Sequence, residues 1–223
     1  HLGRPVKLRS KPDFTEFETE LMAESYDIAL IQPLDYPWAH EKSGYLPRAR
    51  RDAPLRTVIL VNRESPITMI EDLRGKTLAQ AARRAAVTRI SDAALVNAGF
   101  DLYRDIQLSP SRNHFSCMQK VLTRQADACA TAQRALDHWE KAKVAGRFRV
   151  IYEAPHLPHA LFVVHPRVPP VEREVLRKTI LSWPETEQGR ALLSQGNLLP
   201  FVAAEDADYD AVREFVKQVP DDR

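Results

Sequence analysis

The run Tyr26-Asp-Ile-Ala-Leu-Ile-Gln-Pro-Leu-Asp-Tyr36 ends an apolar strand pattern in a proline turn that carries an amide, a carboxylate and a phenol: Gln32, Asp35 and Tyr36. These groups hydrogen-bond and stack; they do not pair a nucleophile with a base. In an open α/β sheet, ligands sit in the crevice outside the carboxyl ends of the strands, which makes Gln32 and Tyr36 candidate ligand contacts. A second candidate lies at Asn113-His114. Asn113 is an N-cap residue type placed ahead of an apolar stripe, Phe115, Met118 and Leu122. Backbone amides at a helix start favour an anion, and His114 adds a donor whose charge changes near neutral pH. Plain structural roles fit the same residues: a core aromatic for Tyr36 and a capped surface helix start for Asn113 and His114.

Other patterns that carry chemistry fail on inspection. Gly75-Lys-Thr77 resembles the end of a phosphate-binding loop, but the required upstream glycine falls on Ile70. Neither a Gly-x-Ser-x-Gly elbow nor a His-Glu-x-x-His pair occurs. His156-Leu-Pro-His159 is split by a proline and has no Cys or Asp neighbour, so a metal role is not expected. Cys117 and Cys129 are open to two readings, a buried reduced pair or a disulfide; the eleven intervening residues do not make an obvious bridge. Cys117 falls near a helix start, where a thiolate is stabilised, yet also beside the apolar stripe. Packing is therefore the expected use of both sulfurs. No catalytic residue, metal ligand or cofactor is expected.

The chain has 223 residues, 44% of them hydrophobic, and a net charge of +2. That supports one large domain or two lobes of roughly 100 residues each, and no global field favours nucleic acid or a membrane. The charge is uneven. Residues 76–124 hold eight Lys/Arg against three Asp/Glu, and residues 205–223 hold seven acids against three bases. Solvated helix faces explain this; a basic middle region suited to an anion explains it too. No apolar run reaches the length of a membrane span and no signal-peptide pattern is read, so His-Leu-Gly-Arg-Pro is expected to be a mature or truncated start.

Hydrophobic periodicity predicts strands over 6–9, Ile28–Ile31, 57–61, 77–79, 106–108, 127–131, 149–152 and 159–164. Helices are predicted from Pro12-Asp13 through Leu21, over 67–73 and 87–98, after Asn113, and over 132–143. Residues 40–56 read as a polar connection, and only helices are expected beyond Pro170, over 171–183, 185–194 and 207–218. Alternating strands and helices argue for parallel sheets. With no linker in the sequence, lobe one is expected from 1–56 plus 170–223 and lobe two from 57–169, joined through the strands 57–61 and 161–164.

In this order the segments resemble the phosphate/phosphite/phosphonate-binding proteins of ABC transporters. The matching pieces are Tyr26–Tyr36, Thr57-Val-Ile-Leu-Val61 with Ser65-Pro-Ile67, and Glu71-Asp-Leu-Arg-Gly-Lys-Thr77. They continue with Val121-Leu-Thr-Arg-Gln-Ala-Asp-Ala-Cys129, Arg149-Val-Ile-Tyr-Glu153, Pro158-His-Ala-Leu-Phe-Val-Val164 and Asp206-Ala-Asp-Tyr-Asp210. The resemblance implies a two-lobed α/β type II periplasmic-binding fold, each lobe a mainly parallel sheet flanked by helices. It implies an extracytoplasmic or periplasmic protein, not an enzyme. Such a protein captures a small oxyanion between its lobes, as a monomer, for an ABC permease or a membrane sensor kinase. The family has one more strand and helix ahead of the position matching Leu2-Gly-Arg-Pro5. It often contributes a cleft residue where Tyr45 stands. From the predicted elements, Thr131 ends the 127–131 strand and His159 precedes the returning strand, so both are candidate cleft residues. Phosphonate binders carry a hydroxyl cluster after the Lys-Thr strand; here residues 80–89 offer only Thr88, with Arg83 and Arg84 as possible cationic substitutes. Less favoured alternatives are a biosynthetic enzyme of the thiamine or menaquinone type and the effector domain of a regulator.

Overall fold

The computed structural model describes residues 3, 5–142, 145–196 and 198–218. The chain divides into two compact units, one built from 1–55 with 157–216 and the other mainly from 56–156. Unit one starts with extended, exposed chain over 5–11. The strand expected at 6–9 is absent there, because an extended segment becomes a strand only when its backbone groups find a partner. Asp13 then caps α1 (Phe14–Met22) by accepting the Glu16 N–H at 3.1 Å. β1 (Ile28–Ile31) leads through a 3-10 turn into α2 (Tyr36–Ser43), which ends on Gly44 at φ +68°. β2 (Leu46–Arg51) follows. Residues 40–56 are therefore not a connection. Two prolines and four arginines conceal the helix end and the strand.

Unit two contains β3 (Thr57–Asn62), β4 (Thr77–Gln80), α3 (Ala86–Asn97), β5 (Gln107–Pro110), α4 (His114–Leu122), β6 (Ala128–Ala132), α5 (Gln133–Ala142) and β7 (Phe148–Glu153). The last residue of the helix expected over 132–143 lies outside the described residues. The helix expected over 67–73 is only a 3-10 turn at Ile70–Leu73. The sheet runs β5-β4-β6-β3-β7, with β4 parallel to both neighbours and β3 antiparallel to both of its own. Side chains alternate across it. Ile59, Val61, Leu78, Ala128 and Ala130 pack on one face with Leu95 of α3; Leu60, Ala79 and Cys129 pack on the other with Met118 of α4 and Trp139 of α5. Unit two is thus a sheet between two helical layers.

The chain returns to unit one at Leu157, which exchanges backbone hydrogen bonds of 2.8 and 3.2 Å with Leu55. β8 (Leu161–Val164), α6 (Pro170–Leu181), α7 (Glu187–Gln195), β9 (Phe201–Ala203) and α8 (Asp210–Val216) complete the unit. β8 was expected as a connecting strand of lobe two; it is instead an inner strand of the sheet β1-β8-β2-β9. Every neighbouring pair in that sheet is antiparallel, so the mainly parallel arrangement expected for it does not hold. The reason is topological. β1 and β2 run the same way, as a β-α-β unit requires, but β8 enters between them as the chain returns from unit two and is not joined to either by such a crossover. β9 was missed because it is three residues long.

Cys117 and Cys129 form a disulfide with Cα atoms 5.6 Å apart, both residues fully buried. Buried packing and bridging turn out to be compatible. A helix residue and a strand residue face each other across the sheet surface, and the turn between them brings them within bridging range. We expect Cys117→Ala/Cys129→Ala to lower the unfolding free energy by about 3 kcal/mol, the loop-closure value for a ring of this size. Urea unfolding of oxidised wild type and variant measures it, and equal stabilities would contradict the bridge.

Candidate functional site

In unit two the carboxyl ends of β4 and β6, and the amino end of the antiparallel β3, lie along one edge of the sheet: Thr57 stands opposite Ala132 and Val58 opposite Thr131. β5 ends at the same edge, where Ser111 N–H donates to Gln80 O at 2.7 Å. Strand alternation sorts the polar groups here by face. Gln80 and Thr57 share the α3 face with Leu78 and Ile59; Thr131 shares the α4 face with Cys129.

On the α3 face, Thr88 in the first turn of the helix is 2% exposed. Three hydroxyls in unit two, those of Thr57, Thr88 and Ser111, are buried and have no hydrogen-bond partner among the described residues. A buried hydroxyl without a partner costs roughly 1–3 kcal/mol, so their recurrence along one edge marks a place that a ligand would complete. The N-cap residue of α3 is Ala85, which has no side chain able to cap it, and the partial positive charge of a helix end attracts an anion. Gln80 Nε2 donates to Ser91 Oγ at 3.0 Å, and Ser91 Oγ donates to Thr88 O at 2.9 Å, which fixes the turn carrying Thr88. Arg83 is exposed, with Nη2 3.4 Å from the Tyr103 hydroxyl.

On the α4 face, Asn113 caps the helix. Its Oδ1 accepts Ser116 N–H at 2.9 Å, and Ser116 Oγ accepts Asn113 N–H at 3.0 Å. The Asn113 side chain is therefore committed to the cap. His114 is half-buried, with Nδ1 2.9 Å from the hydroxyl of the fully buried Thr131. Burial holds the His114 imidazole below its ordinary pKa, which favours the neutral ring in the fold. The sequence reasoning paired neither His114 with Thr131 nor either of them with the cysteines. It also missed Thr57, Gln80 and Ser111. A polar residue closing an apolar strand was the available signal for Gln80; Thr57 needed the antiparallel register, which no local pattern reveals.

In unit one, Tyr36 and Tyr45 are fully buried core residues. Tyr36 donates its hydroxyl to Asp206 Oδ1 at 2.6 Å and packs 4.7 Å from the Tyr209 ring; burial, then the Asp206 bond, push its pKa up. Tyr45 donates to Tyr26 O at 2.8 Å. Both phenols hold unit one together, and their hydroxyls are occupied. Gln32 and His159 are half-buried. His159 Nδ1 accepts Ala160 N–H at 2.7 Å, and His159 O accepts the Tyr209 hydroxyl at 2.8 Å. His156 pairs with Glu153 at 2.9 Å. Among the described residues no cluster of His, Cys, Asp or Glu is arranged to hold a metal, and no helix is long and apolar enough to cross a membrane.

The fold is that of type II periplasmic binding proteins. The binding-protein component of an ABC phosphonate transporter from Pseudomonas aeruginosa superposes with a TM-score of 0.79 at 16% identity, over 97% of this chain and 77% of that one. PhnD1 from Prochlorococcus marinus, solved with methylphosphonate, gives 0.79 at 18% identity over 97% and 87%. The aliphatic sulphonate binding protein SsuA from Escherichia coli gives 0.64 at 16% over 92% and 80%. The sequence matches the family described as the ABC transporter, phosphonate, periplasmic substrate-binding protein over residues 1–209, and the chain belongs to that family. Its members are binding proteins, not enzymes, the class that the motif order implied. No curated protein sequence matches the chain.

The depressed His114 pKa has a consequence for stability. An unfolded chain takes up the imidazole proton near the ordinary value of 6.5, whereas the folded ring takes it up only at lower pH. Folding stability is therefore fully present above 6.5 and declines as pH falls through it. Thermal unfolding of the ligand-free protein between about pH 7.5 and about pH 5.5 should show this decline, and His114→Gln should flatten it. Parallel profiles for the two proteins would contradict a buried neutral ring.

Proposed function

We propose that this protein captures a small oxyanion of the phosphate, phosphite or phosphonate class and delivers it to an ABC permease from an extracytoplasmic compartment. The observation that carries the proposal is the buried, unpartnered Thr88 hydroxyl in the first turn of α3, which follows the N-cap residue Ala85. A tetrahedral oxyanion supplies what that turn lacks: acceptor oxygens for the hydroxyl and negative charge for the helix end. Arg83 is assigned a charge-assisted contact. His114, oriented by Thr131, is assigned a donor from the opposite face of the sheet, with Asn113 holding its helix start. Capture here involves no bond making. Convergent donors hold an anion that keeps its charge and returns it intact.

The family supports the choice of ligand class, being named for phosphonate transport. The disulfide supports the compartment, since such bridges persist where conditions are oxidising.

Calorimetric titration with phosphate, phosphite and methylphosphonate tests the proposal. We expect saturable binding of at least one of them. Thr88→Val, which keeps the shape and removes the donor, should weaken that binding about 10- to 100-fold, the range for a lost hydrogen bond to a charged group. Absence of heat with all three anions at millimolar concentration would sink the oxyanion assignment, and full affinity in Thr88→Val would remove α3 from it.

A further inference from the structure

Unit two holds a cavity of about 450 Å³ that begins at Gln80 and Thr88 and extends along α3. Its size falls within the range of small-molecule pockets. Thr88, Asp92 and Val96 all line it, spaced i, i+4, i+8, so one stripe of the helix forms a wall. The stripe changes character along its length. At the amino end stand the unpartnered Thr88 hydroxyl and the Gln80 amide; eight residues on, about 12 Å along the axis, stand Val96 and, beyond the helix, Phe100 and Leu102. Leu108 and Pro110 of β5 line the cavity as well. Tyr103 also belongs to the lining, and the residue is 83% exposed.

The charged groups of the lining offset one another: two arginines, Arg83 and Arg89, against Asp92 and Asp101. Both carboxylates have internal partners. Asp92 Oδ1 accepts Gln80 Nε2 at 2.5 Å, and Asp101 Oδ1 accepts Tyr103 N–H at 2.9 Å. The helix terminus adds its partial charge at the amino end of the stripe, and Arg83 Nη2, 3.4 Å from the Tyr103 hydroxyl, carries positive charge along one side; Val96, Phe100, Leu102 and Leu108 make the remainder of the wall apolar.

We infer that this cavity seats the organic substituent of the captured oxyanion, and that the substituent is aromatic. The anionic group sits at Thr88 and the ring extends along the Asp92–Val96 side of α3, reaching Phe100 and Tyr103. At the far end the exposed Tyr103 ring offers edge-to-face or stacked contacts that an alkyl chain does not make; Phe100, 5% exposed and with the Arg74 guanidinium 4.6 Å from its ring centre, contributes only what that contact leaves uncovered. Bare phosphate leaves this space empty. The inference rests on the oxyanion reading of the α3 start and adds to it the class of ligand: an arylphosphonate, in preference to an inorganic anion.

The test compares phenylphosphonate with methylphosphonate by calorimetry on the full chain. The expected result is phenylphosphonate binding at least about tenfold more tightly, the upper range of one aromatic contact before burial of the rest of the ring is counted. The preference should shrink toward one in Val96→Trp, which fills the cavity from a 39% exposed position, and in Tyr103→Ala, where an exposed side chain is removed without touching the core. Binding of methylphosphonate with no preference for the aryl acid, or a preference that survives both substitutions, overturns the inference and leaves the capture proposal standing. Binding of neither acid removes both.

Discussion

The Cys117–Cys129 disulfide and the His114–Thr131 contact both tie α4 to β6, and the α4 half of the candidate site depends on them. Cys117 lies three residues after His114 on the helix, and Cys129 lies two residues before Thr131 on the strand. Residues at i and i+3 share a helix face, and residues at i and i+2 share a sheet face. The disulfide and the His114–Thr131 contact are consequently successive rungs of one ladder between the same two elements. The covalent rung sets the height of the helix on the sheet, and that height brings the imidazole to the strand end. Burial of the ring and its depressed pKa follow from this placement.

The α3 face is held by different means. No covalent link anchors it; Leu95, Ala94 and Leu78 pack in one apolar cluster, and Gln80 reaches Ser91 at the first turns of the helix. The strand therefore fixes the helix start from below while the turn itself keeps an unpaired hydroxyl. A folded protein tolerates such a group where the cost is recovered on binding, and the family's role as ligand carriers fits that pattern. Residues 80–89 hold a single hydroxyl, that of Thr88; the other unpartnered buried hydroxyls of unit two among the described residues are those of Thr57 in β3 and of Ser111 just after β5.

Much of the fold was legible because the signals were local. The Asp13 and Asn113 caps and the strand runs at β1 and β3 each rest on residues within a few positions of one another. The motif order then led to the family. What stayed hidden required knowledge of partners distant in the chain. The antiparallel direction of β8, the pairing of β9 with β2, and the Cys117–Cys129 bridge are decided by tertiary contacts. The same limit applied to the candidate residues. Tyr36 and Tyr45 have the right chemistry and follow a strand end, but Asp206 and the Tyr26 carbonyl occupy their hydroxyls. Thr88 was identified as the only hydroxyl in its stretch; that it is buried without a partner needed the packed structure.

The central claim is that the edge of the unit-two sheet, with the start of α3 on one face and His114 on the other, receives an oxyanion. Amide chemical shifts in a ¹H–¹⁵N spectrum, followed as methylphosphonate is added, test it residue by residue. The account predicts the largest shifts at Ala86, Val87 and Thr88 and at His114, with those of the unit-two outer strand β7 nearly unmoved. Saturable shifts confined to other parts of the chain, with residues 86–88 and 114 unchanged, would contradict it.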